Sequence, residues 1–243
     1  MSVKTVIILG GSRGIGKACA LVLAQQSYNI ILTYANNRAE AEIVSANITQ
    51  QGGDASIAQC DISHADDVQQ LFNQTVAQYG EIYAVINTAG IAIMKSITEF
   101  SIDEFNHLIQ TNITGTFNVL QAAYHTVCSG GRMIMFSSNV TMTTPITYGP
   151  YAASKAAVET LVQTFAKELR GKNITINTIS PGPTATELFF KGKSEQTIQT
   201  FANMSPLERL GQPEDIANVV KFLLSDDATW VNAQVIRVNG GFI

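Results

Sequence analysis

The sequence predicts an α/β fold, a doubly wound parallel sheet of about seven strands with helices on both faces. Three observations predict it. Short β-branched runs alternate with longer amphipathic stretches from one end to the other, the rhythm of successive βαβ units. Several of these runs are almost continuously apolar, as strands covered on both faces must be. The first run also feeds directly into a glycine-rich turn that opens a helix.

Taken in order, the strand-like runs are Thr5–Leu9, Asn29–Tyr34, Ala55–Gln59, Ala84–Asn87, Arg132–Phe136, Thr175–Ile179 and Gln234–Val238. Between them Ile15–Gln26, Ala39–Gln51, Ala65–Tyr79, Ile102–Val127 and Ala152–Arg170 read as helices. Right-handed crossovers are expected. No repeat, linker or low-complexity stretch divides the 243 residues, so one domain spanning 1–243 is expected. Residues 184–205 break the rhythm. They follow a Pro-Gly-Pro turn and carry Leu188, Phe189 and Phe190 beside Gly192-Lys193-Ser194. A connection this long reads as a substrate lid, with a packed surface helix pair as the alternative.

A hydrophobic fraction of 46% with 14% charged residues is that of a globular chain. A net charge of −4 and the absence of a basic patch exclude nucleic acid and anionic membrane as expected partners. Neither a signal peptide nor a membrane span is legible. Cys19, Cys60 and Cys128 are far apart and lack partners at metal-ligand spacing, so reduced thiols, no metal and a cytoplasmic location are expected.

The turn Gly10-Gly11-Ser12-Arg13-Gly14-Ile15-Gly16 stands after a strand and before a helix. Glycines there allow a tight turn and close backbone approach, and the helix start offers free N–H groups to a pyrophosphate, so a dinucleotide site is expected. An acid at the end of the second strand would accept the ribose 2′-OH of NAD. Here that strand ends in Tyr34, followed by Asn36, Asn37 and Arg38, with no acid before Glu40. Arg13 and Arg38 can each make a charge-assisted contact with a 2′-phosphate. NADP(H) is therefore the expected cofactor.

Tyr151 and Lys155 fall at i and i+4 of a helical stretch, on one face. A free phenol titrates near 10, and a neighbouring ammonium should bring it toward the working range of a general acid. Ser138 closes the fifth strand-like run, at the carboxyl end where open α/β sheets bind ligands.

With these motifs, Asn87-Thr88-Ala89-Gly90, Asn112, Pro181-Gly182-Pro183-Thr184-Ala185-Thr186 and the Asn239-Gly240-Gly241 ending, the chain resembles the short-chain dehydrogenase/reductase family along its whole length. The resemblance implies a single-domain Rossmann fold and a catalytic tetrad of Asn112, Ser138, Tyr151 and Lys155. It implies that Ser138 orients a carbonyl, Tyr151 donates the proton, Lys155 grips the nicotinamide ribose and Asn112 holds a water. It also implies Asp61 and Ile62 at the adenine, and Asn87, Ala89 and Gly90 under the ribose. Pro181, Gly182 and Thr184 fall at the nicotinamide, with Thr186 near the phosphates. Leu9 and Thr88 depart from the family's commonest pattern.

The expected activity is NADPH-dependent reduction of a small-molecule ketone or aldehyde, in the manner of the trihydroxynaphthalene-reductase-like group. The alternatives are a 3-oxoacyl-[acyl-carrier-protein] reductase and an NAD-linked alcohol dehydrogenase of the same family. Residues 91–95 and 125–131 hold a single lysine, a poor surface for steering an acidic carrier protein. Ala92, Ile93, Met94, Val140, Tyr148, Leu188 and Phe189 are the candidate pocket walls, and the resemblance implies a homotetramer.

Overall fold

A computed structural model describes residues 3–243 of the chain. Its strands are β1 (Thr5–Leu9), β2 (Asn29–Tyr34), β3 (Asp54–Gln59), β4 (Ile82–Asn87), β5 (Val127–Phe136), β6 (Thr175–Pro181) and β7 (Val235–Val238). They form one sheet in the order β3-β2-β1-β4-β5-β6-β7, every neighbouring pair parallel. The helices are α1 (Gly14–Ala24), α2 (Arg38–Gln50), α3 (Ala65–Tyr79), α4 (Ile102–Ile109), α5 (Gly115–Thr126), α6 (Val140–Thr143), α7 (Gly149–Glu168), α8 (Glu187–Phe190), α9 (Glu195–Met204) and α10 (Pro213–Leu224).

The alternation of side chains along β1 explains the layering. Val6 and Ile8 face a cluster holding Cys19, Leu23, Val44 and Val220 of α1, α2 and α10. Ile7 and Leu9 face the opposite cluster, with Phe72, Val119 and Val162 of α3, α5 and α7. Every residue of β1 and β4 is buried. A strand with two covered faces has no polar side to offer, which is why its sequence is an apolar run. The strand order reverses between β1 and β4, and the carboxyl ends of these two strands open a crevice there.

The helix expected over Ile102–Val127 is not continuous. It breaks into α4, a π-helical segment at Gln110–Thr114, and α5, and Val127 already belongs to β5. The extra residue per turn swings Asn112 inward, where its amide is fully bonded, and Gly115 then passes so close to Ile62 that a Cβ would lie 2.7 Å from it. Helix α7 starts earlier than expected, with Pro150 in its first turn. Helix α10, absent from the expected elements, opens on Pro213, with the Asp215 carboxylate accepting the Gln212 N–H.

Residues 184–205 form the short helices α8 and α9. Thr186 caps the first by accepting the Phe189 N–H, and Ser194 caps the second by accepting the Thr197 N–H. The Gly192-Lys193-Ser194 stretch is therefore a tight turn into a capped helix. Among the described residues no helix is long and apolar enough to cross a membrane, and no cluster of metal-ligating side chains occurs.

Candidate active site

Between β1 and α1 the backbone needs glycine. Gly10 and Gly14 have φ of +75° and +52°, and a Cβ on Gly16 would fall 2.2 Å from the Gly10 carbonyl oxygen. Neighbouring strands pin this turn. The Thr33 hydroxyl accepts the Gly10 N–H at 3.2 Å, and the Thr88 hydroxyl donates to the Leu9 carbonyl at 2.8 Å. Thr88 thus acts as a brace. Arg13 precedes α1 without capping it, and the first turn contains no acid. Its N–H groups and the positive end of the helix dipole are left for an anion.

The turn opens into a cavity of about 620 Å³. Gly10, Ser12, Arg13, Gly14, Ile15 and Gly16 form one wall. Tyr34, Asn36 and Asn37 close the adjoining end, with Asp61 and Ile62 beyond β3. Ala89 and Gly90 follow β4; Pro181 ends β6, and Gly182, Thr184 and Thr186 follow it. Ser138, Tyr151 and Lys155 stand on the wall between these groups. A glycine cradle, uncommitted helix N–H groups and a Tyr34 in place of an acid fit a dinucleotide phosphate.

Arg38, Asn87 and Asn112 do not line the cavity. Arg38 points along the exposed face of α2, where its Nε donates to Glu42 at 2.7 Å. Asn87 is buried behind the wall, its Oδ1 accepting the Ala89 N–H. Asn112 accepts the Ile91 N–H and donates to the Ile91 carbonyl and the Ser154 hydroxyl, so its amide clamps the strand-end loop to α7. Both asparagines shape the wall from behind. Glu40, in contrast, reaches the cavity beside Asn37, and its Oε2 is buried without a hydrogen-bond partner.

Tyr151 and Lys155 are 9% and 7% exposed. Lys155 Nζ donates to the Phe136 carbonyl at 3.0 Å and lies 5.9 Å from the Tyr151 ring centroid. The expected lowering of the phenol does not occur. Burial pushes Tyr151 up to about 12, with the Ser138 hydroxyl only partly opposing it, and burial pulls Lys155 down to about 8. Desolvation is the leading cause for both groups.

A carboxylate that the sequence reading did not single out organises this corner. Glu159, one turn beyond Lys155, accepts hydrogen bonds from Ser137 Oγ at 2.5 Å and Thr141 Oγ1 at 3.1 Å. It thereby ties both flanks of Ser138 to α7. No local motif marks it, because its partners lie 22 and 18 residues away. Of the expected apolar walls, Ala92, Met94, Val140, Tyr148, Leu188 and Phe189 line the cavity. Ile93 does not. Lys193, Phe201, Met204 and Phe242 join them instead. The helix pair formed by 184–205 and the chain's last residues bring them there.

Residues 10–243 match the family model described as Enoyl-(Acyl carrier protein) reductase. A "Short-chain type dehydrogenase/reductase" of Picea abies is 39% identical over 98% of this chain and 92% of its own. A "NADPH-dependent aldehyde reductase-like protein, chloroplastic" of Arabidopsis thaliana is 37% identical over 99% and 94%. A short-chain dehydrogenase from Burkholderia cenocepacia, solved in complex with NADP, superposes with a TM-score of 0.93 at 27% identity, covering 99% of this chain and 98% of its own.

Proposed function

The chain belongs to the short-chain dehydrogenase/reductase family of oxidoreductases, and from that premise we propose that it reduces a ketone or aldehyde to the alcohol with NADPH. The observation that carries this reading is the convergence of Ser138, Tyr151 and Lys155 on one wall of the cavity that the glycine turn opens. The nicotinamide, when bound, supplies the hydride to the carbonyl carbon. Ser138 donates a hydrogen bond to the carbonyl oxygen, and the Tyr151 proton passes to that oxygen as the C–H bond forms. A phenol held near 12 is fully protonated at neutral pH, the form a proton donor needs. Lys155, whose ammonium donates to the Phe136 carbonyl, would hold the cofactor ribose, and Asn112 acts as a positioning residue behind both.

Arg13 and the first-turn N–H groups of α1 hold the phosphates in this reading, and Asn36 and Asn37 add donors at the 2′-phosphate. The relatives' names support NADPH. Arg38 is not needed. Glu40 favours a second reading, an NADH-linked dehydrogenase, because a carboxylate at that end repels a phosphate and can accept a ribose hydroxyl. Docking of an acidic carrier protein finds little support: Lys95, the one lysine of residues 91–95, is paired with Glu104. We read residues 1–243 as one domain, with 184–205 as the wall that covers the substrate. The free thiols of Cys19, Cys60 and Cys128 suit a reducing compartment such as the cytoplasm.

The test is oxidation of NADPH and NADH against a panel of aldehydes, ketones and quinones, with Tyr151→Phe alongside. Loss of turnover by a factor on the order of 10²–10⁴ with cofactor affinity retained is expected. A Tyr151→Phe protein that still turns over, or tighter binding of NADH than of NADPH, would overturn the reading.

A further inference from the structure

The apolar end of the cavity holds one cation, Lys193, in the turn between α8 and α9. Its Nζ lies 4.8 Å from the Phe189 ring centroid and donates to the Phe189 carbonyl at 2.7 Å. Phe189 packs edge-on against Phe201, and Leu188 and Met204 extend the same surface. An ammonium has three donors, and one of them is used. Among the described residues no carboxylate comes within ion-pair distance of Lys193, whereas Arg13 at the cavity rim is paired with Glu187 at 3.6 Å. Partial burial already disfavours the charged form of Lys193. An uncompensated charge against apolar walls is costly, and an anion that enters beside it offsets the cost. The phosphate end has its own uncommitted helix N-terminus, so the spare charge of Lys193 belongs to what meets the aromatic end.

Resting on the carbonyl-reductase reading, we propose that the substrate is an aromatic or otherwise apolar carbonyl compound bearing an anionic oxygen group. Lys193 holds that group while the carbonyl reaches Ser138 and Tyr151. The class is a formyl- or keto-substituted arene carboxylate or its like, with the ring on Phe189 and Phe201.

The experiment compares para-carboxybenzaldehyde with its neutral methyl ester at saturating NADPH, in the natural protein, Lys193→Met and Lys193→Arg. The natural protein and Lys193→Arg should favour the carboxylate in kcat/KM by about tenfold, the worth of one charge-assisted hydrogen bond. Lys193→Met should lose that preference, its kcat/KM falling far more on the carboxylate than on the ester. Equal preference in all three proteins overturns the proposal. So does a Lys193→Met protein whose main defect is weaker NADPH binding, which would assign the lysine to the cofactor. Calorimetric binding of para-(hydroxymethyl)benzoate and its methyl ester reads the same contact without turnover. Binding of the acid that Lys193→Met abolishes supports the proposal even where neither aldehyde is reduced, a result that would count against carbonyl reduction alone.

Discussion

Lys155 is a charge kept in a place that disfavours charge. Burial pulls it from 10.5 down to about 8, and the sign of its effect on stability follows. Between about 8 and 10.5 the unfolded chain still binds the proton that the folded chain has released, so this residue makes stability rise with pH across that window. Below pH 8 the folded protein carries the buried ammonium at a cost of about 3 kcal/mol. Lys155→Met removes the cost, so it should be the more stable protein at pH 7, with the difference shrinking as pH approaches 10.5. Cys19 and Cys60, each held at about 12 by burial, pull stability down above pH 9 equally in both proteins. They therefore cancel in the comparison. Urea midpoints measured from pH 7 to 10 check this, and parallel curves would refute it. The i, i+4 spacing of Tyr151 and Lys155 was legible in the sequence. The direction in which the phenol moves was not, because burial depends on β5, β6 and α6 closing over the pair.

The elements around the site are coupled by side chains that no local pattern marks. Glu159 joins the β5–α6 region to α7 through Ser137 and Thr141, and the one Thr141 hydroxyl proton is shared between Glu159 and the Ser138 carbonyl, each 3.1 Å away. Cutting this tie leaves Ser138 free to drift relative to Tyr151, and small misplacements of reacting groups are expensive in rate. Glu159→Ala should lower kcat by about tenfold with the affinity for NADPH unchanged. Glu159→Gln, which keeps an acceptor oxygen, should recover most of it. Steady-state kinetics beside cofactor titration separates the outcomes: equal losses in Gln and Ala variants, or weakened cofactor binding in both, would deny Glu159 a positioning role. The same logic explains what the sequence disclosed at this scale. Strand–turn–helix order around Gly10–Gly16 is local, and it was read correctly. The π-helical segment at Gln110–Thr114 answers to Ile91 and Ser154, contacts that bridge 21 and 42 residues, and a 3.6-residue period carries no trace of them.

For the whole molecule, the apolar residues left outside are as informative as the core. Ile102 and Phe105 of α4 and Phe117 of α5 are exposed, as are Ile97 and Ile146 before and after them. Trp230 is 98% exposed beside the β7 end of the sheet, with Phe222 and Ile243 also outside. These large side chains belong to two different parts of the fold, α4–α5 and the β7 edge. A four-copy assembly with two-fold symmetry uses two such self-complementary faces, each burying on the order of 1,200–2,000 Å². We infer a homotetramer built through both, and β7, a four-residue edge strand, gains cover that an unpaired edge otherwise lacks. Light scattering should return four times the 26.2 kDa protomer mass. Phe117→Asp and Trp230→Glu should each halve it by opening one face, and the double variant should be monomeric. A monomer mass for the natural protein would refute the assembly; a tetramer indifferent to both substitutions would move the interfaces elsewhere. Composition made the apolar excess visible, but which residues spend it on the surface depends on where α4, α5 and β7 end up.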